Sequence, residues 1–239
     1  MRGTSRSFPI SCTACRTLRA TLSDMEALQA IQQRIQAAAG RAKRDPKSIR
    51  LIAVTKKVPV DRMREAATCG VTDFGENRLQ EAITKIDEFH DARLTWHFIG
   101  HIQTNKAKKV AEKFDWIHSV DRMEVVDKLG PAAMKSLSIL IEVKLHEEPN
   151  KSGAAISELP ALIDAIRRHD NLKLKGLMAV PPFLENPEEV RPYFRKLRGL
   201  AAQYELAELS MGMTHDFEVA IEEGATMVRI GTGLFGQRL

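Results

Sequence analysis

The 239-residue chain is short of cysteine. Three thiols, Cys12, Cys15 and Cys69, cannot build a disulfide framework, and their scarcity favours a reducing compartment. Cys12 and Cys15 form a lone C-x-x-C with no second pair and no strand before it, a weak basis for metal or redox chemistry. No apolar run approaches the roughly 18 residues of a membrane span. No G-x-G-x-x-G follows the first strand-like run, and neither a P-loop nor a G-x-S-x-G is present. Acidic residues are missing before Asp24, whereas Arg2, Arg6, Arg16 and Arg19 are all there. That arginine- and serine-rich composition matches an organelle transit peptide and equally an extension upstream of a start at Met25. Residues 1–24 are expected to be disordered and outside the fold.

The net charge of +5 is concentrated in that segment, leaving an excess of only two positive charges over the rest. Such a balance argues against a nucleic-acid partner. The densest basic run, "TNKAKKVAEK" from Thr104 to Lys113, reads as the solvated face of a helix.

From Met25 onward two textures alternate. "MEALQAIQQRIQAAAGRAKR" has apolar residues at helical spacing and a basic end. Short apolar runs then recur: "LIAV" (51–54), "VTDFG" (71–75), "WHFIG" (96–100), "DWIHSV" (115–120), "ILIEVKL" (139–145), "LKGLMAV" (174–180), "ELSMG" (208–212) and "TMVRIG" (226–231). Amphipathic stretches such as "VDRMREAATCG" and "RLQEAITKIDEF" separate them. Continuous rather than alternating apolar strands imply burial on both faces, hence a parallel sheet. Eight such units predict an α/β fold, a (βα)8 TIM-type barrel with one additional N-terminal helix, formed as a single domain over residues 25–239.

In such a barrel chemistry gathers at the C-terminal strand ends. Those ends bring together Lys56 and Lys57, Gly75 to Asn77, Gly100 and His101, His118 and Ser119, Lys144, Pro181 and Pro182, Ser210 to Gly212, and Arg229, Gly231 and Thr232. The glycines and hydroxyls after strands seven and eight predict a phosphate site, since small residues let backbone N–H groups approach an anion. A strand-end lysine opposite them suits a phosphorylated aldehyde or ketone, gripped as an anion at one end and as an imine at the other. Alternation sends only one of Lys56 and Lys57 into the lumen, and the pattern alone does not choose between them. The H-x-x-x-H of His97 and His101 spans a strand end, where the helical face used by zinc motifs is missing, so a core or rim role is expected. Cys69 reads as a packing residue.

The stretches "LIAVTKKVP", "FGENRLQEA", "WHFIGHIQTNK", "HSVDR", "NKSG", "GLMAV" and "LSMGMTHDFEVAIEEGATMVRIGTGLFG" resemble, in order, those of the pyridoxal phosphate homeostasis proteins, which share the barrel of the alanine racemase N-terminus. The resemblance implies that Lys56 forms an aldimine with pyridoxal 5'-phosphate (PLP) and that Asn77 lies near the cofactor. It places Ser210, Gly231 and Thr232 at the phosphate with Met211 and Gly212 beside them, and Arg229 at the pyridine nitrogen. Lys151 of "NKSG" matches a lysine with a role in handing the cofactor over. A guanidinium at the ring nitrogen disfavours its protonation and weakens the ring as an electron sink. Tyr193 and Tyr204, the only tyrosines, lie in a helical stretch and not at a strand end. The expectation is a cytoplasmic, monomeric or weakly dimeric PLP carrier serving PLP-dependent apo-enzymes, without efficient catalysis. A narrow amino-acid racemase and a Schiff-base aldolase are the alternatives.

Overall fold

The alternation resolves, in a computed structural model describing residues 13–146 and 152–236, into strands that each feed a helix. The first helix, α1 (Thr13–Arg41), precedes the sheet. Then follow β1 (Arg50–Val54), α2 (Val60–Thr68), β2 (Asp73–Glu76), α3 (Leu79–Glu88), β3 (Thr95–Phe98), α4 (Ala107–Lys113), β4 (Trp116–Val120), α5 (Met123–Ala132) and β5 (Leu137–Glu142). The second half holds α6 (Leu159–Arg167), β6 (Leu172–Met178), α7 (Arg191–Gln203), β7 (Glu208–Met213), α8 (Phe217–Glu222), β8 (Met227–Ile230) and α9 (Thr232–Phe235). The eight strands close in chain order into one barrel, and every pairing is parallel. The predicted (βα)8 barrel is the fold observed.

Alternation along each strand divides the residues between two cores. Ile52, Leu140, Met178 and Met227 pack inside the barrel with Trp116 and Val180 against them. Their neighbours Ala53, Phe74, Ile117, Ile139, Leu177 and Val228 belong to the layer between sheet and helices. Two faces of the strands are therefore buried, which is why the strands read as unbroken apolar runs.

Several ends differ from the sequence expectation. The run "ILIEVKL" overshoots: β5 stops at Glu142, and Val143, whose amide still donates to the Met178 carbonyl of β6 at 2.8 Å, also bridges Ala154. Helix α1 begins at Thr13, inside the segment read as an extension; residues 1–12, with Cys12, lie outside the described residues. From residue 25 on, α1 buries Leu28, Ile31 and Ile35 and packs on α2, α8 and α9. Arg34 pairs with Glu218 at 2.8 Å and Arg41 with Glu222 at 2.6 Å, tying the first helix to α8. In the basic run at α4, Lys106, Lys108 and Lys109 are exposed while Ala107, Val110 and Ala111 are buried, as its amphipathic reading predicts. No described helix is long and apolar enough to cross a membrane.

Candidate functional site

The end of β1 turns one of the two lysines, Lys56, toward the lumen. Ile52 and Val54 face the lumen, and alternation carries Lys56 to the same side. The chain then turns sharply at Lys57, whose φ of 61° lies in the left-handed region. Lys57 is exposed, whereas Lys56 is half-buried and lines a cavity of about 420 Å³ at the barrel mouth. Asn77 after β2, Ile99 after β3, Val180 after β6, Thr214 after β7, and Arg229, Gly231 and Thr232 of the β8 end share that lining.

The turn is held from outside the barrel by a buried cluster. Lys85 of α3 donates to the Thr55 carbonyl at 2.6 Å, to Glu76 Oε1 at 2.7 Å and to Glu81 Oε1 at 2.6 Å. The Thr55 hydroxyl donates to the same Glu76 oxygen at 2.7 Å, and the Lys57 amide donates to Glu81. Both residues flanking Lys56 are thereby anchored. Burial pushes the Glu76 carboxyl up, against the pull of Lys85 and Thr55. Burial also acts on Glu81, but the bonds from Lys85 and the Lys57 amide bring it below the ordinary carboxylate value.

On the opposite wall Arg229 is buried, with only 4% of its surface exposed. Its Nη1 donates to the Ser210 carbonyl and to the Ser210 hydroxyl oxygen, each at 2.7 Å, and Nη2 donates to the Ala179 carbonyl at 2.9 Å. Burial pushes the guanidinium down to about 10, with Asp216 and Glu142 opposing, so it remains a cation at neutral pH. A cation held this firmly presents a fixed positive field to whatever fills the cavity.

The predicted site residues thus fall into two groups. Lys56, Asn77, Arg229, Gly231 and Thr232 meet around one cavity. Ser210, Met211 and Gly212 of β7 do not line it. The Ser210 hydroxyl is committed to Arg229 and His118, and Met211 points into the helix layer. Gly212, at φ 90°, lets α8 approach: a Cβ there would lie 2.5 Å from the Ala220 Cβ and 2.9 Å from the Phe217 Cα. The turn that follows instead supplies Met213, Thr214 and His215 to the cavity. Thr232 and Thr214 bring their hydroxyls within 3.4 Å of each other beside the first turn of α9, whose leading N–H groups have no intrahelical acceptor. Hydroxyl and amide donors of this kind suit a phosphate.

Asn77, Ile99 and Val180 also border a second cavity of about 290 Å³, lined by Glu142, His101, Lys144, His146 and Ser152. Glu142 is the inward-facing end of β5, across the barrel from Lys56. Burial pushes its carboxyl up to about 7, reinforced by Asp121 and opposed by Arg229. Reading strand ends had selected Lys144; the overlooked signal was a glutamate inside an apolar run. His97 lies buried in the barrel and His101 is exposed at the mouth, and no group of three or more metal-binding side chains occurs among the described residues. Cys69 caps α2, half-buried. Tyr193 and Tyr204 pack against the outer core around α7. Lys151 lies outside the described residues.

Comparison with known proteins places this arrangement. The family described as alanine racemase, N-terminal domain, matches residues 27–239. The pyridoxal phosphate homeostasis protein of Aquifex aeolicus is 46% identical over 222 residues, spanning 89% of this chain and 97% of that protein. PipY of Synechococcus elongatus, solved with PLP bound, superposes with a TM-score of 0.75 at 38% identity, over 85% of this chain and 100% of that one. Alanine racemase of Corynebacterium glutamicum shares the fold, with a TM-score of 0.67 at 15% identity over 89% of this chain and 62% of its own. The chain belongs to the alanine racemase N-terminal domain family and, within it, to the pyridoxal phosphate homeostasis proteins.

Proposed function

We propose that this protein binds PLP at the barrel mouth and serves PLP homeostasis, holding the aldehyde and releasing it to PLP-dependent apo-enzymes. The observation that carries this reading is the convergence of Lys56, Arg229, Gly231 and Thr232 on one cavity from opposite ends of the chain. A volume of about 420 Å³ falls in the usual range for a small cofactor, and its donors match an amine-reactive aldehyde bearing a phosphate. PLP supplies a carbonyl that condenses reversibly with a primary amine. Lys56 is the amine offered to it. Thr214, Gly231 and Thr232 would hold the phosphate, Asn77 would contact the ring, and Ser210 would act through Arg229. The homologue solved with PLP supports PLP as the ligand.

The reading is of a carrier without efficient turnover. Neither tyrosine lines the cavity, and a fixed Arg229 cation disfavours a protonated ring nitrogen. A narrow racemase is not favoured, because the close relatives carry the homeostasis name. Residues 25–239 would form the functional barrel, acting as a monomer or weak dimer in the cytoplasm, a location in keeping with the few cysteines. Protein purified with PLP should show a visible absorption band that Lys56→Ala lacks; a wild-type protein without the band would favour a sugar-phosphate aldolase.

A further inference from the structure

Below the cavity a line of polar side chains runs down the barrel interior, where apolar packing would be expected. Asp73, at the start of β2, accepts from the Thr72 hydroxyl at 2.7 Å and lies 3.5 Å from Arg50 Nε. Its Oδ1 is 2.9 Å from His97 Nε2, and His97 Nδ1 is 3.0 Å from His118 Nε2. His118 Nδ1 is 2.9 Å from the Ser210 Oγ, which accepts from Arg229 Nη1 at 2.7 Å. His97, His118 and Ser210 have no exposed surface. Trp116 stacks on His97 at 5.8 Å and carries the Arg50 guanidinium on its face, 4.9 Å away.

The proton positions follow from what each group can do. Burial alone would raise the Asp73 carboxyl, but bonds from His97 and Thr72 and the charge of Arg50 hold it below the ordinary value, so it is an ionised acceptor. His97 therefore donates from Nε2 and presents a lone pair at Nδ1. Burial pushes both imidazoles toward the neutral form; at His118 the neighbouring His97, Arg229 and Arg50 add to that. A neutral His118 must then donate from Nε2 to His97, because the other tautomer would set two lone pairs against each other. Its Nδ1 accepts the Ser210 hydroxyl proton. Every donor in the line points toward Asp73.

We propose that Asp73, His97 and His118 are positioning residues: they turn the Ser210 proton away from Arg229, keep a Ser210 lone pair on the guanidinium, and so fix the cation presented to the ring nitrogen of a bound PLP. The last clause rests on the PLP reading; the orientation of the chain does not.

Two substitutions at one position separate positioning from mere packing. His118→Asn keeps an acceptor where Nδ1 sits, and His118→Gln keeps a donor where Nε2 sits and removes the acceptor from Ser210. In PLP-loaded protein, the ring-nitrogen 15N shift of labelled PLP should move in His118→Gln and stay near wild type in His118→Asn. The PLP dissociation constant should rise roughly tenfold in His118→Gln, the worth of one lost hydrogen bond to a charged network, and stay within about twofold in His118→Asn. Asp73→Asn, which removes the charge at the far end, should move the shift in the same direction as His118→Gln. Identical behaviour of the two His118 variants would overturn the proposal. Independently, histidine 15N spectra of the PLP-free protein should show His97 and His118 neutral with the proton on Nε2; a proton on His118 Nδ1 refutes the chain. Wild-type protein that takes up no PLP would sink the cofactor reading, while the PLP-free spectra still decide the chain.

Discussion

Replacing Lys85 with methionine tests the cluster that holds the Lys56 turn. The side chains of Lys85 and Glu76 are 7% and 0% exposed, so the substitution strands a carboxyl inside the protein. Breaking one partner of a buried ion pair typically costs about 3–5 kcal/mol. The carboxyl has one escape, which is to take up a proton. From an ordinary value of 4.5, protonation at pH 7 costs about 3 kcal/mol, and at pH 5 roughly 1 kcal/mol. The loss in Lys85→Met should therefore be about 3 kcal/mol at pH 7 and about 1 kcal/mol at pH 5. The sign follows from a folded-state value raised above the unfolded one: that contribution is present at low pH and is lost as pH rises. Urea unfolding followed by circular dichroism and tryptophan fluorescence at both pH values reads the difference. At this size the melting temperature should fall by roughly 6–12 °C at pH 7. Adding Glu76→Gln to Lys85→Met should recover much of the loss, because the stranded charge is gone. A loss below about 1 kcal/mol at pH 7, or an equal loss at both pH values, would show that Lys85 does not hold a buried Glu76 charge.

Three further outcomes are expected. Glu142 has a folded-state value of about 7 against 4.5 unfolded, so its contribution to stability is present below 4.5 and lost as pH climbs to 7. Thermal melts should show Glu142→Gln more stable than wild type at pH 8 by about 1–3 kcal/mol and little different at pH 4.5; no gain at pH 8 would contradict this. Gly212→Ala meets the Ala220 Cβ and the Phe217 Cα of α8 at a positive φ and should lose about 2 kcal/mol or more in a denaturation curve. Because the next residues line the cavity, it should also weaken PLP binding in equilibrium dialysis. By contrast, Glu218→Gln removes the charge from an exposed pair between α1 and α8, leaving Arg34 over the Phe217 ring, and should shift stability by under about 1 kcal/mol; a larger loss would mean that α1 depends on that pair.

The barrel was legible because parallel strands bury both faces, so "LIAV" and "TMVRIG" announce themselves without a periodicity argument. Lys56 was legible as one of two lysines; choosing it by geometry needed the lumen-facing parity of Ile52 and Val54, which an unbroken apolar run does not reveal. The clamp on the turn was invisible, since Lys85 reaches Thr55 across 30 positions and Glu76 across 9. The interior chain was half visible: strand ends bring His118 and Ser210 to one mouth across 92 positions, but not their direct contact or the link through His97 to Asp73. Each histidine nonetheless stands inside an apolar strand, in "WHFIG" and "DWIHSV", at the parity of the lumen. That parity was the available signal, and it becomes informative once the strand ends are known. The phosphate assignment rested on small residues after β7 and β8. It placed Gly231 and Thr232 at the cavity but could not foresee that Ser210 would turn inward to Arg229.

The most direct test of the central claim is to reduce the PLP-loaded protein with borohydride and locate the label by peptide mass spectrometry. A single phosphopyridoxyl group on Lys56 is expected. Label on Lys57, or spread over several lysines with Lys56 unmarked, would contradict it.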